Sequence, residues 1–215
     1  MPQLTQPETK SKGLEATVIQ ALGPQWDVLC GTERLRCVLK KTTRDLHGNP
    51  VVGDRVLIDP PSGGMSRIVG VLPRVSMLRR PDVHRTQSAQ VIVANVDQLI
   101  IVASIAFPPL NPGLIDRYLV AAWKEGIDPV ICLTKCDLPI DDEVEANIAT
   151  FSALEIPVLR TSVITGEGMS TLLECMEGRA SVLAGLSGVG KTSLARVLLH
   201  DATLQVGAIS EATGR

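Results

Sequence analysis

The residues best suited to chemistry form a glycine-rich segment that ends in a lysine and two hydroxyl side chains. It reads Gly185, Leu186, Ser187, Gly188, Val189, Gly190, Lys191, Thr192 and Ser193. In such a segment backbone N–H groups converge on phosphate oxygens, the Lys191 charge meets the β and γ phosphates, and the Thr192 hydroxyl can hold Mg²⁺. The helix expected next would point its positive end at the anion. The segment predicts a phosphate loop; the alternative is a glycine-rich turn that binds nothing.

A second segment could read a nucleotide base. Thr134, Lys135, Cys136 and Asp137 follow a predicted strand and fit the pattern [NT]-K-x-D. The Asp137 carboxylate can accept hydrogen bonds from N1–H and the 2-amino group of guanine, which adenine does not offer, while the Lys135 stem can cover the base face. The competing interpretation is that Asp137 only caps a helix.

A third segment follows the next predicted strand and contains Ser162 and Val163. A backbone N–H near Val163 could meet a guanine oxygen. This short segment alone does not indicate a nucleotide site, and it is informative only together with the other two segments. Together the three segments predict a guanine nucleotide site.

These segments need elements that hold them, and the chain contains two kinds. Residues 13–75 carry short strand-like runs separated by turn residues, which predict a five-stranded oligonucleotide-binding (OB) type barrel. The predicted strands are Ala16–Ile19, Trp26–Cys30, Leu35–Leu39, Asp54–Ile58 and Arg67–Leu72. We expect residues 1–12 to be a disordered tail, Asp45–Gly48 and Pro60–Gly64 to be turns, and residues 76–90 to be a basic linker.

After residue 90, buried-type strands alternate with helical segments, which is typical of a parallel sheet covered on both faces. The predicted strands are Val91–Ala94, Leu99–Ser104, Pro129–Leu133, Pro157–Arg160 and Ser181–Ala184. Helices are expected near 112–125, 141–154, 168–177 and 191–200. Ligands of such sheets bind at the carboxyl ends of the strands, where all three segments fall.

Charge is divided unevenly along the 215 residues. The formal net charge is −2, but residues 1–90 hold 13 Lys and Arg against 8 Asp and Glu, and the remainder holds 8 against 15. This division favours a basic module that meets a polyanion and an acidic module that repels one. A basic cluster falls on and after the third predicted strand and is the candidate RNA-binding surface: Arg34, Arg36, Lys40, Lys41 and Arg44. The competing interpretation is a solvated strand face.

Composition limits the remaining possibilities. Aromatic residues make up 2%, so stacking platforms for bases are largely lacking. Neither a run of 18 apolar residues nor an N-terminal secretory pattern is visible, and we expect a cytoplasmic protein without membrane contact. Five cysteines without a C-x-x-C pair predict reduced thiols and no zinc site in these residues.

The order of the three segments is unusual, because in an ordinary GTPase the phosphate loop precedes the base-reading loops. With the basic barrel in front, the chain resembles the RsgA (YjeQ) family of ribosome small-subunit-dependent GTPases, which are circularly permuted. The resemblance covers Gly13 to Arg215 and is strongest in the loop order and in Gly185 to Ser193. Val96–Leu99 and Asn111–Tyr118 are also similar to that family.

The resemblance implies a late-acting assembly factor, expected to be a monomer, that binds the small ribosomal subunit and its rRNA and hydrolyses GTP when docked. It assigns Thr134, Lys135, Cys136 and Asp137 to the guanine loop, Ser162 and Val163 to the second base loop, and Gly185 to Ser193 to the phosphate loop. Thr134 stands where the family usually has Asn. Because threonine is shorter, we expect it to lose reach toward the phosphate loop and to weaken affinity.

The resemblance also predicts that the domain at 91–215 is incomplete at its C-terminal end. Residues Ile209 to Arg215 resemble the start of the family's first switch, after which a second metal-contacting threonine, a D-x-x-G loop and a zinc domain would follow. Hydrolysis uses groups from such switches, so low turnover is expected of this chain. No residue is assigned to positioning the attacking water.

Two alternatives remain open at the level of sequence. One is a P-loop kinase or ATPase with a barrel attached. The other is an RNA-binding module whose nucleotide site is vestigial or regulatory.

Overall fold

A computed structural model describes residues 13–59, 65–81 and 89–201. Within these ranges the chain forms two compact units, the first ending at Arg74 and the second beginning at Val75. Three features expected from the sequence, the tail at 1–12, the turn at Pro60–Gly64 and the switch-like end at Ile209–Arg215, lie outside the described residues.

The first unit is a closed five-stranded barrel, as expected. Its strands are β1 (Leu14–Leu22), β2 (Gln25–Cys30), β3 (Glu33–Leu39), β4 (Arg55–Asp59) and β5 (Ser66–Val71), in the order β1-β2-β3-β5-β4. Neighbours pair antiparallel except β3 and β5, which are parallel, and β4 pairs with β1 to close the barrel. Alternate residues point inward and form a core that includes Trp26, Val28 and Ile58.

A short helix, α1 (Lys41–His47), lies between β3 and β4 where the sequence predicted a hairpin turn at Asp45–Gly48. The prediction was wrong because it weighed only the turn residues. Residues 41–46 contain neither glycine nor proline and can therefore form a helix. Gly48, at φ 73°, ends the helix, and its N–H donates to the Arg44 carbonyl. The buried Thr43 hydroxyl donates to the Val69 carbonyl at 2.9 Å and ties the helix to β5.

The described parts of the predicted linker at 76–90, residues 76–81 and 89–90, are mostly strand. Strand β6 (Met77–Pro81) pairs antiparallel with β7 (Ala89–Ala94) in a separate two-stranded sheet. The sequence placed Val91–Ala94 in the parallel sheet instead, since an apolar run does not reveal its pairing partner. Leu78 and Val93 are buried in the second unit's core, which explains why this basic segment is ordered as a strand.

The second unit is built on a parallel sheet in the order β10-β9-β8-β11. Its strands are β8 (Gln98–Ser104), β9 (Asp128–Thr134), β10 (Val158–Arg160) and β11 (Ser181–Ala184). Its helices are α2 (Pro112–Lys124), α3 (Asp142–Ala153), α4 (Met169–Met176) and α5 (Lys191–Asp201). These elements were predicted closely.

Helices cover both faces of this sheet. Leu99 and Ile101 face α2 and α3, whereas Ile100 and Val102 face α4 and α5, so β8 is buried along its whole length. Asn111 and Asp141 cap α2 and α3, respectively, by accepting backbone N–H groups three residues ahead. The helices that cover this sheet run antiparallel to its strands. All strands therefore end at one edge of the sheet, the carboxyl edge, and the helices end at the opposite edge, the amino edge.

Candidate functional site

The glycine-rich segment connects β11 to α5 at the carboxyl edge of the sheet. A Cβ on Gly185 would lie 2.1 Å from the Val102 carbonyl oxygen. Only glycine therefore lets the segment lie this close to β8. Gly188 and Gly190 have φ values of 83° and 98°, in the region that favours glycine. The loop therefore has the backbone conformation that a phosphate cradle needs.

Lys191 lies in the first turn of α5 and folds over this loop. Its Nζ donates hydrogen bonds to the carbonyls of Gly185 at 3.0 Å and Leu186 at 2.8 Å. The ammonium group is thus held beside the backbone that would surround a phosphate.

The other members of the segment are arranged around the same loop. Leu186, Ser187 and Gly188 are exposed and Val189 is buried. Thr192 and Ser193 are exposed at the start of α5.

Thr134 joins the end of β9 to the phosphate loop. Its hydroxyl is buried and donates to the Val189 carbonyl at 2.6 Å, with the Ala103 carbonyl at 3.3 Å. The expectation that threonine loses reach toward the phosphate loop was therefore wrong. The backbones approach closely enough for a short side chain, since a Cβ on Gly190 would be 3.8 Å from the Thr134 oxygen.

Lys135 continues the link between the two loops. The residue has a positive φ of 62°, and its Nζ donates to the Gly188 carbonyl at 3.1 Å and to the Phe107 carbonyl. Its side chain therefore crosses from the base loop to the phosphate loop.

Asp137 is held by the third segment and does not cap a helix. The Ser162 hydroxyl donates to Asp137 Oδ1 at 2.6 Å, while α3 begins later and is capped by Asp141. The Ser162 oxygen also accepts the backbone N–H groups of Ile164 and Thr165 at 3.2 and 3.3 Å. These contacts fix the carboxylate while leaving Asp137 exposed.

Cys136 and Val163 complete the base loops. The Cys136 N–H donates to the Thr161 carbonyl at 3.1 Å, which joins the two loops through their backbones. Val163 lies in the exposed turn after Ser162. All predicted nucleotide-site residues thus lie at the carboxyl edge of the sheet: Thr134 ends β9, Lys191 to Ser193 begin α5, and the others lie on the connecting loops.

The sequence analysis missed a fourth loop at this edge, residues 105–111 after β8. Its Phe107 is 83% exposed, and its Pro108 lies 3.6 Å from where a Cβ on Gly188 would be. Tyr118 of α2 also contacts the phosphate loop: burial raises the pKa of its hydroxyl, and a hydrogen bond with the Gly185 backbone opposes that shift. The signal available in the sequence was the end of β8 at Ser104, which shares this edge.

The predicted RNA-binding residues divide into two groups. Arg34 and Arg36 of β3 both bind the carboxylate of Asp27, at 2.6 and 2.8 Å, and Asp27 is only 1% exposed. Hydrogen bonding by Arg36, aided by Arg34, keeps the pKa of Asp27 below its ordinary value despite burial. The two arginines therefore share a negative charge that the sequence did not reveal.

Lys40, Lys41 and Arg44 form the second group, at the start of α1 and along it, and all three are exposed. These three residues form the more strongly positive part of the cluster.

Among the described residues, no group of three or more His, Cys, Asp or Glu side chains could hold a metal ion. Mg²⁺ at Thr192 would take its other ligands from phosphate and water, which is how Mg²⁺ is ordinarily bound at such sites. The exposed hydroxyl beside Lys191 fits that arrangement. All five cysteines are free, and burial raises the pKa of Cys132 to about 11, so this thiol stays protonated at neutral pH.

No helix within 13–59, 65–81 and 89–201 is both long and apolar enough to cross a membrane.

The fold and these loops define a class: a five-stranded barrel followed by a P-loop GTPase-type α/β domain whose base loops precede the phosphate loop, which is a circular permutation. A family model described as RsgA GTPase matches residues 71–215. The chain belongs to the RsgA GTPase family.

Relatives and solved structures agree with this assignment. "Small ribosomal subunit biogenesis GTPase RsgA" of Dickeya dadantii is 38% identical over a match that covers 99% of this chain and 60% of the relative. The protein of the same name from Pseudomonas savastanoi is 43% identical over a match that covers 77% of this chain and 48% of the relative. The crystal structure of YjeQ from Thermotoga maritima matches with TM-score 0.70 and 33% identity, covering 89% of this chain and 66% of its own. YloQ, titled a circularly permuted GTPase, matches with TM-score 0.63 and 26% identity over 88% and 65%.

The chain spans about half the length of the first curated relatives it matches, 48% and 57%.

Proposed function

We propose that this chain binds GDP and GTP with Mg²⁺ at the carboxyl edge of its parallel sheet. We further propose that the protein is a cytoplasmic, monomeric GTPase that binds the small ribosomal subunit during its maturation. The names of the relatives support the parts of the second proposal that concern GTPase activity and the small ribosomal subunit. The first rests on the loops of this chain.

The observation that carries the proposal is the hydrogen bond from Ser162 to Asp137. It orients a carboxylate whose remaining lone pairs accept N1–H and the 2-amino group of guanine. Adenine offers no such pair of donors at those positions, so an oriented Asp137 discriminates between the two bases. Lys135 covers the base face, and the backbone near Val163 meets the guanine oxygen.

The phosphate side follows from the loop after β11. Backbone N–H groups of residues 185–190 surround the phosphates, and Lys191 transfers from two carbonyls to the β and γ phosphate oxygens. The Thr192 hydroxyl contributes one ligand to Mg²⁺, which neutralises phosphate charge when bound. The start of α5 adds its positive dipole end, and Ser193 lies in the same turn.

A titration with fluorescent GDP, competed by unlabelled GTP and ATP, tests this proposal. We expect GTP to compete and ATP to fail, and Lys191→Ala to abolish binding. Asp137→Asn should lower GDP affinity roughly a hundredfold, since two hydrogen bonds to a charged group are lost. The same variant should gain affinity for xanthosine diphosphate, because xanthine replaces the 2-amino donor with an acceptor that an amide can satisfy.

Asp142→Asn is the matched control, because Asp142 is an exposed carboxylate in the first turn of α3. It should leave GDP affinity unchanged. Equal competition by ATP would favour the alternative P-loop ATPase or kinase. Absence of nucleotide binding at millimolar concentration would favour an RNA-binding module with a vestigial site.

A second function, RNA binding by the barrel, is favoured by the exposed charges of Lys40, Lys41 and Arg44. Arg34 and Arg36 add to this surface in part, because Asp27 offsets their charge. Contacts of this kind to rRNA would be mainly ionic.

A further inference from the structure

The second unit has a groove at the amino edge of its parallel sheet, the edge opposite the nucleotide loops. Its volume is about 780 Å³, within the usual range of about 300–1,000 Å³ for binding clefts. The groove lies where β9 and β10 begin and where α2, α3 and α4 end. An occupant there would not compete with a nucleotide at the other edge.

Large apolar side chains line the groove and are open to solvent. Trp123 at the end of α2 is 53% exposed, and Leu154 at the end of α3 is 55% exposed. Pro157 and the buried Ile156 continue this surface. Tryptophan in a groove is a common anchor in protein interfaces, because it supplies a large contact area at low entropic cost.

The charge of the groove is strongly negative. Its lining includes four carboxylates and one cation, Arg179, which pairs with one of the carboxylates at 3.4 Å. The carboxylates are Asp128, Glu155, Glu174 and Glu177. The C-terminal ends of α2, α3 and α4 point to the same edge and add partial negative charge.

Glu155, one of these carboxylates, lies in the turn directly after α3. It has a positive φ of 58°, at a position where glycine is preferred.

We propose that this groove binds an extended, lysine- and arginine-rich protein segment that places one large apolar side chain against Trp123. The carboxylates attract the cationic side chains, and the apolar surface supplies the anchor. RNA is disfavoured as the occupant because its phosphates would face four carboxylates and three helix C-terminal ends. This inference goes beyond the proposed function and does not depend on nucleotide binding.

The test uses the 215-residue chain and a fluorescein-labelled, lysine-rich decapeptide with one central leucine. Comparison probes are the same peptide with glycine replacing leucine, its glutamate counterpart, and an RNA decamer of uridine. Binding is followed by anisotropy and by tryptophan fluorescence. The latter reports on Trp123, because Trp26 is only 2% exposed in the barrel.

We expect the leucine-containing cationic peptide to bind and to change tryptophan emission, with and without saturating GDP. Trp123→Ala should weaken binding at least tenfold. Combining Glu155→Gly with Glu174→Gln should weaken it by a similar factor, and Glu155→Gly also relieves the positive φ, so this variant keeps the fold. Asp142→Asn with Glu143→Gln removes the same charge outside the groove and should change binding little.

Equal affinity of the groove variants and the control variant would overturn the proposal. So would equal binding of the glycine-substituted peptide, or direct binding of the RNA decamer, measured without peptide, that the groove substitutions weaken. Failure of the chain to bind GDP would sink the nucleotide proposal alone and leave this one standing.

Discussion

At the scale of single residues, Thr134 shows how a short side chain can join two loops. Its hydroxyl donates to the Val189 carbonyl at 2.6 Å across 55 positions of sequence. Both groups are buried, so the bond also satisfies a carbonyl that water cannot reach. The phosphate loop is thereby held in shape before a nucleotide arrives.

Thr134→Val tests this role because valine keeps the shape and removes the hydroxyl. We expect the variant to lose about 1–3 kcal/mol of stability, since the Val189 carbonyl loses its partner. Affinity for GDP should fall roughly tenfold, because the loop must then be ordered on binding. Urea unfolding and fluorescent GDP titration measure the two effects.

Thr150→Val is the matched control. Thr150 is exposed on α3, and its hydroxyl donates within the helix to the Ala146 carbonyl. If both variants bind GDP equally well, Thr134 does not organise the phosphate loop.

At the scale of elements, the connection from β10 to α4 determines where Ser162 lies. Gly168 precedes α4 at φ 68°, and a Cβ there would lie 1.9 Å from the Arg160 carbonyl oxygen. The helix can therefore start against the end of β10 only because this residue is glycine. The turn that presents Ser162 to Asp137 depends on that close approach.

Gly168→Ala should destabilise the protein more than Gly166→Ala. Comparing the two variants separates the cost of a steric collision from the cost of a left-handed backbone conformation. Gly166 has a similar φ of 81°, but a Cβ there meets nothing within 4 Å. We expect a loss of about 1 kcal/mol for Gly166→Ala from the left-handed backbone. Gly168→Ala should cost about 1–3 kcal/mol more, because β10 or α4 must shift.

Urea unfolding curves for the two variants measure this difference. Weaker GDP binding by Gly168→Ala than by Gly166→Ala would link the shift to the base loop. Equal stabilities would show that the close approach at Gly168 does not matter.

At the scale of the whole molecule, charge is segregated by module. The first 90 residues carry an excess of Lys and Arg, and the later residues an excess of Asp and Glu. In the barrel, Asp27 offsets part of that excess at Arg34 and Arg36. In the second unit, four carboxylates line the amino-edge groove, which lies at the opposite edge of the sheet from the phosphate loop.

This distribution predicts which cations carry RNA binding. Replacing Lys40, Lys41 and Arg44 by alanine should reduce the slope of log K against log salt by about 2, at about 0.7 per lost contact with single-stranded RNA. Replacing Arg34 and Arg36 should reduce the slope less per residue, because Asp27 already neutralises part of their charge. Filter binding to a small-subunit rRNA fragment at several salt concentrations measures these slopes.

Lys124→Ala, at the end of α2 in the other unit, is a suitable control for the loss of a single charge. An unchanged slope in the triple variant would remove the barrel cluster from the RNA-binding surface.

The sequence by itself determined the five barrel strands, most of the parallel sheet and the three loops at its carboxyl edge. These features are local: glycine spacing, alternation and strand-to-helix order are set by residues close together in the chain. The end of β9, predicted at Leu133 and observed at Thr134, and the start of α5 at Lys191 could therefore be located without a structure to within one residue.

Tertiary structure decided the features that depend on distant partners. The pairing of β6 with β7, the reach of Thr134 to Val189 and the binding of Asp27 by two arginines all join residues whose closeness no local pattern encodes. The amino-edge groove arises in the same way, because Trp123, Leu154 and Glu174 meet only when three helices end at one edge of a sheet. Hydrophobic periodicity specifies which side of each element is buried, and packing then determines which partner covers it.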